Sequence, residues 1–196
     1  MTAKRVSIAA ASLALAVLLV IGLVGLASSG GGGTGPLKLS AAQMRARLVG
    51  SPQPLAALHA QASEILGGGL RALRARLRAL RGTPVVINKW ASWCGPCREE
   101  LGILQRVSLT RGREVAFIGI DSSDTRSAAA SLLRSYPLSY PSYFDHSGSL
   151  GFAITDSNST PVTVFYDRAG RLFIHQGPFA DTRKLESDIV RYALGA

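Results

Sequence analysis

The sequence predicts an α/β fold: a mixed central sheet with helices on both faces, preceded by an N-terminal helical extension and a single transmembrane helix. Three observations carry this expectation. Short apolar, β-branched runs alternate with helical stretches over residues 83–196. The last two runs are joined by a tight "RAG" turn, Arg168–Gly170, as in a hairpin. Near the start, Val6–Ala27 is a run of 22 residues without a charge, and about 20 apolar residues cross a bilayer as a helix.

Each element has its own reason. Lys4 and Arg5 precede the apolar run, which favours a cytoplasmic N-terminus and an outward-facing body. The length of the run favours an uncleaved anchor over residues 1–27. The alternative is a cleaved signal peptide, since Gly25-Leu26-Ala27 has small-x-small character. "SSGGGGTGP" makes residues 28–36 a flexible linker. Residues 37–82 read as the helical extension. "LSAAQMRARL" is a short helix capped by Ser40, and Pro54–Gly69 is a helix ended by glycines. In the next helix Leu70, Leu73, Leu77 and Leu80 form one stripe, with Arg71, Arg74, Arg78 and Arg81 mostly elsewhere. This pattern suits a helix that packs its leucines on the domain, or a basic helix resting on lipid headgroups.

Residues 83–196 form the main domain. "PVVIN" is a buried strand, followed by a helix through about Leu109. "EVAFIGID", Glu114–Asp121, is a second buried strand, and "DTRSAAASLLRSY" is a helix capped by Asp124 or Thr125. "SYPSYFDHSG" is irregular or a short extended piece. "PVTVFYD" and "RLFIHQG" are the hairpin strands, and a closing helix starts at a cap on Asp181.

Composition narrows the function. With 22 basic and 12 acidic residues the net charge is +10, so a nucleic-acid partner has to be weighed. No C2H2 spacing, no run of interleaved aromatic and basic residues and no basic helix beside a heptad zipper supports one. An anionic membrane surface, which attracts each nearby Lys or Arg by roughly 1 kcal/mol, is an alternative, as is a plain preference for Arg. Two cysteines are too few for a disulfide-dense scaffold or a closed zinc site. The three histidines, His59, His146 and His175, are scattered, so neither a metal nor another cofactor is expected.

The two cysteines, Cys94 and Cys97, stand in "KWASWCGPCREE" at the predicted junction of strand and helix. Pro96 suits the first helical turn, and Gly95 lets the backbone turn tightly. Cys94 then faces unpaired N–H groups and the positive end of the helix dipole, which lowers a thiol pKa. Cys97 lies one turn deeper on the same face, within disulfide reach. Such a pair is built for exchange, with Cys94 as nucleophile and Cys97 resolving the mixed disulfide. An inert staple is the weaker reading, because so small a loop removes little chain entropy.

"NKWASWCGPCREE" resembles the active site of the thioredoxin superfamily, and within it the membrane-anchored TlpA/ResA-like thiol–disulfide oxidoreductases. The resemblance covers about residues 83–194 and implies a thioredoxin fold. It implies that Pro161, in "STPVTVF", is a cis-proline packed against the two cysteines. It implies too that Thr160 offers backbone groups to an extended substrate. By the residues alone, Pro161 only begins a strand. Trp93 matches the family tryptophan that shields the site, or is core packing. Glu100 matches a family carboxylate able to accept the resolving thiol's proton, or is a solvated helix residue. Asn88 stands where thioredoxins keep a buried aspartate, which shifts proton handling to Glu100 or water. Lys89 replaces an aromatic; it points at Cys94 and stabilises its thiolate, or its amine snorkels to the surface. Leu101-Gly102 replaces a Phe-Pro pair that kinks the helix, and softens it instead.

The implied activity is reduction of disulfides in secreted or membrane-associated proteins, recharged by a separate membrane electron donor. A Cys-Gly-Pro-Cys loop suits a reductant, thioredoxin itself lying near about −270 mV. The cytochrome-maturation subgroup carries a different loop from "DSNSTPV" before the third strand, which puts that substrate in question. Two alternatives stand beside reduction: an oxidase that introduces disulfides into exported proteins, and a non-catalytic copper-handling protein on the same fold.

Overall fold

A computed structural model of the chain describes residues 35–195. The anchor and most of the linker, residues 1–34, lie outside the described residues. Among the described residues no helix is long and apolar enough to cross a membrane.

The chain opens with α1 (Ala41–Arg47), where Ser40 accepts from the Gln43 N–H and the Gln43 side chain accepts from the Ser40 N–H, a complete capping box. The helix predicted over Pro54–Gly69 is shorter, α2 (Leu55–Ala60). Tertiary contacts capture the rest of that segment. Ser63, at φ +61°, donates its N–H to Tyr140 O, and its hydroxyl donates to Leu138 O. Ile65–Leu66 becomes a two-residue strand, β1. Residues 37–82 therefore add a strand as well as helices to the same body.

From there the order is α3 (Gly69–Ala79), β2 (Val85–Trp90), α4 (Gly95–Arg111), β3 (Ala116–Ser122), α5 (Arg126–Ser135) and β4 (Ser142–Asp145). It continues with α6 (Ser149–Thr155), β5 (Val162–Tyr166), β6 (Leu172–Gln176) and α7 (Thr182–Asp188), which widens into a π-helical end over Ile189–Leu194. The extended piece predicted within Ser139–Gly148 is β4, and α6 was not legible in the sequence. The sheet runs β1-β4-β3-β2-β5-β6. β2 pairs parallel with β3 and antiparallel with β5, so the sheet is mixed and β2 sits inside it.

Side chains on the two faces form two cores. On one, Val86 and Trp90 pack with Leu101 and Leu104 of α4, Leu133 of α5 and Leu185 of α7. On the other, Val85 and Ile87 pack with Leu73, Leu80 and Leu150. Leu70 and Leu77 pack on the second core from the side. The leucine stripe of α3 therefore covers the sheet, while Arg71, Arg74, Arg78 and Arg81 stay exposed.

Gly119 marks the closest approach in the sheet. A Cβ there would lie 2.1 Å from Ser142 Oγ and 2.8 Å from Trp90 Nε1, the two atoms joined by a 3.1 Å hydrogen bond. Gly119→Ala should therefore lower unfolding stability in urea by about 2–3 kcal/mol, the range of overpacking combined with a lost buried hydrogen bond.

Candidate active site

β2 delivers the chain to the top of the sheet, and α4 starts from there. Cys94 is the N-cap of α4, with extended backbone (φ −80°, ψ 108°), and its sulfur accepts from the Cys97 N–H at 3.2 Å. Pro96 lies in the first turn, as its missing donor allows. Cys94 and Cys97 form a disulfide, with Cα atoms 5.3 Å apart. Cys97 is fully buried and Cys94 nearly so, at 4% exposure. Gly95 and Pro96 are exposed beside them. α4 runs unbroken through Leu101-Gly102.

The Thr160–Pro161 bond is cis. Its loop meets the disulfide, and Thr160 O lies 3.6 Å from Cys94 Sγ. Pro161 O accepts from the Gly177 N–H at 3.1 Å, and Val162 pairs with Lys89 of β2. The loop is therefore tied into the sheet on both sides.

Glu100 is fully buried, not solvated. Its carboxylate accepts from Asn88 Nδ2 at 2.8 Å and from the Phe179 N–H at 3.0 Å. Burial pushes its pKa up to about 7, against the pull of those two donors. Asn88, also buried, donates to Thr163 Oγ1 at 3.2 Å as well, so it bridges β5 and the carboxylate. Burial and the Glu100 charge push the Tyr140 hydroxyl up.

Trp93 is not core packing. It is 62% exposed beside Cys94, its ring held by a 2.8 Å hydrogen bond from Nε1 to Ser123 O. Lys89 neither points at Cys94 nor snorkels out. It is buried at 3% exposure and donates from Nζ to Ser157 O at 2.6 Å. His175 stacks on Phe179 with ring centroids 4.2 Å apart and lies 3.5 Å from Asp188.

Two carboxylates near the site have partners that sequence reasoning did not assign. Thr125, not Asp124, caps α5. Asp124 instead accepts from the Ser92 N–H at 2.5 Å and the Ser92 hydroxyl at 2.9 Å, two residues before Cys94. These donors hold its pKa down although burial opposes them. Asp121 faces it from the end of β3, fully buried, with no hydrogen-bond donor to either oxygen among the described residues. Burial, then the Asp124 charge, push Asp121 up to about 8, and Arg126 pulls the other way. A proton retained on Asp121 is what lets two carboxylates meet. The available signal was an aspartate closing the apolar run "EVAFIGID".

A mixed sheet, a disulfide at the first turn of the helix after its central strand, and a cis-proline loop facing that disulfide define a thioredoxin-like protein. The chain belongs to the Redoxin family, whose sequence profile matches residues 74–187. It is 30% identical over 135 residues to the thiol:disulfide interchange protein DsbE of Pseudomonas fluorescens, covering 68% of this chain and 69% of that one. It is 24% identical over 104 residues to the thiol-disulfide oxidoreductase ResA of Bacillus cereus, spanning 53% of this chain and 60% of the relative. Among solved structures, a DsbE-type thiol:disulfide interchange protein from Chlorobium tepidum aligns over 59% of this chain and 83% of its own, with TM-score 0.54 and 24% identity. A secreted Mycobacterium tuberculosis disulfide oxidoreductase aligns over 58% and 85%, with TM-score 0.51 and 24% identity. Both structures share the fold.

Asp121 gives a testable pH dependence. In the unfolded chain it ionises above about pH 4, whereas in the fold it keeps its proton to about pH 8. Its contribution is complete below pH 4 and is lost as pH rises through 8. Asp121→Asn carries no such proton. Its Tm should exceed that of the wild type by about 2–4 °C at pH 8, with the gap closing toward pH 4.5 in thermal melts.

Proposed function

We propose that the chain is an extracytoplasmic thiol–disulfide oxidoreductase that reduces disulfides in secreted or membrane-associated proteins. Its body, residues 83–196, is held outside the cell membrane by an anchor over residues 1–27 and the linker 28–36. The observation that carries this reading is the sulfur pair Cys94–Cys97 at the start of α4, with the Thr160 carbonyl 3.6 Å from Cys94. A nucleophilic sulfur, a partner sulfur behind it and an open backbone edge for a substrate strand meet at one point.

The reduced pair works as follows. The Cys94 thiolate attacks one sulfur of the substrate disulfide, forming a mixed disulfide and releasing the other substrate sulfur as a thiolate, which takes a proton from solvent. Cys97 gives its proton to Glu100 and attacks Cys94 Sγ. The Cys94–Cys97 disulfide forms and the second substrate thiolate leaves, so two electrons pass to the substrate. Helix N–H groups favour the Cys94 thiolate. Burial pushes Glu100 up to about 7, where it can both accept and return a proton near neutral pH. Asn88 orients it. Thr160 and Pro161 present the backbone on which an extended substrate lies, and Trp93, Gly95 and Pro96 form the exposed rim. A separate membrane protein returns the pair to its dithiol form.

Three outcomes test this reading. Cys97→Ala should trap substrates as mixed disulfides through Cys94, whereas Cys94→Ala should trap almost none on non-reducing gels; equal trapping overturns the order of attack. Glu100→Gln should slow insulin reduction by about a hundredfold and flatten the rise in rate through pH 7. Acid quenching and alkylation in cells should find the pair mostly reduced. A mostly oxidised pair would point instead to disulfide formation.

A further inference from the structure

We propose that Lys89 is a positioning residue: its buried ammonium clamps the Asp156–Thr160 loop and so sets the backbone of Thr160 beside Cys94. This rests on the reading that Thr160 meets the substrate chain, and it assigns a role to a cation that the thiol chemistry leaves unused.

The geometry is built from three sides. Lys89 belongs to β2, five residues before Cys94, and its backbone pairs with Val162, which follows the cis-proline. Its side chain leaves the sheet on the face opposite Asn88 and runs over α6. A Cβ at Gly151 would come within 2.9 Å of Lys89 Cε and 3.1 Å of Cδ, so the stem fits because that position is glycine. At its end Nζ donates to Ser157 O at 2.6 Å. The Thr155 hydroxyl lies 3.1 Å from the same carbonyl oxygen.

The clamp acts where the backbone is irregular. α6 ends at Asp156 in the left-handed region (φ +49°), and the next four residues carry the chain to the cis bond. Asn158 and Ser159 are exposed, so little packing fixes this stretch. A charge-assisted bond to Ser157 O ties it to the strand that leads into the cysteines. Burial pulls the Lys89 pKa down, and the nearby Asp145 carboxylate, held by the Ser122 hydroxyl and the Gly151 N–H, pulls it back up. β2 thus fixes both partners of the site, Cys94 through its chain continuation and Thr160 through the Lys89 side chain.

The test compares a long substrate with a short one. Full-chain wild type, Lys89→Met and Lys89→Gln are assayed with dithiothreitol as reductant against insulin, and, pre-reduced and freed of dithiothreitol, in single turnovers against dithiobis(nitrobenzoate), which has no peptide backbone to lay on Thr160. KM for insulin should rise about tenfold in both variants, the scale of one charge-assisted hydrogen bond. The kcat, the aryl disulfide rate and the pair's reduction potential should stay at wild-type values. An unchanged KM, or a parallel fall with both substrates, overturns the proposal. Backbone order parameters of residues 157–160 decide the matter should a variant not fold: wild type should sit near the rigid value of about 0.85, and values below about 0.6 overturn the clamp. Wild type that fails to reduce insulin would sink the proposed function, while the order parameters would still judge the clamp.

Discussion

The structure turns on the complete burial of β2. All six of its residues are buried, because the strand is paired on both edges and covered on both faces. Four of them, Val85, Val86, Ile87 and Trp90, suit that position, and two do not. Asn88 and Lys89 bring polar groups into the interior at the end of the strand nearest the cysteines, where an unbonded polar group costs several kcal/mol. Each therefore needs a partner. The Asn88 amide nitrogen finds Glu100 and Thr163 on one face, its oxygen is left without a partner among the described residues, and Lys89 finds Ser157 on the other face. Most of the surroundings of the site follow from these two obligations.

On the Asn88 face, the result is a carboxylate held inside the protein with a pKa near neutral. Glu100 accepts from two N–H donors and its pKa still rises, so burial outweighs hydrogen bonding. Near the segment that leads into Cys94, Asp121 and Asp124 repeat the logic with a different outcome. Asp124 has enough donors from Ser92 and Thr125 to hold its charge, whereas Asp121 has none among the described residues and retains its proton. The segment that ends in Trp93 and Cys94 is thus fastened through Ser92 by an ionised carboxylate, which leans on a neutral one.

On the Lys89 face, a cation holds the loop that approaches the disulfide from the other side. The two cysteines and the cis-proline loop come from segments more than 60 residues apart, since 66 positions separate Cys94 from Thr160. Pairing of β2 with β5 brings them together coarsely, and side-chain bonds from β2 refine the approach.

The sequence by itself determined much of this protein. The succession of strands and helices along the main domain, α6 excepted, the cap at Ser40, the leucine stripe of α3 and the placing of Cys94 at a helix start are all local matters. Period, cap chemistry and the Gly-Pro turn decide them within a few residues. The tertiary structure alone decided the rest. It shortened the helix expected over Pro54–Gly69, since an open sheet edge at β4 captured Ile65–Leu66. It buried Glu100 and Lys89, and it left Trp93 exposed on a hydrogen bond to Ser123. It also set Asp121 against Asp124. A charged side chain reads the same in sequence whether it meets water or a partner 60 residues away, because the cost of burying it depends on neighbours that only the folded chain supplies.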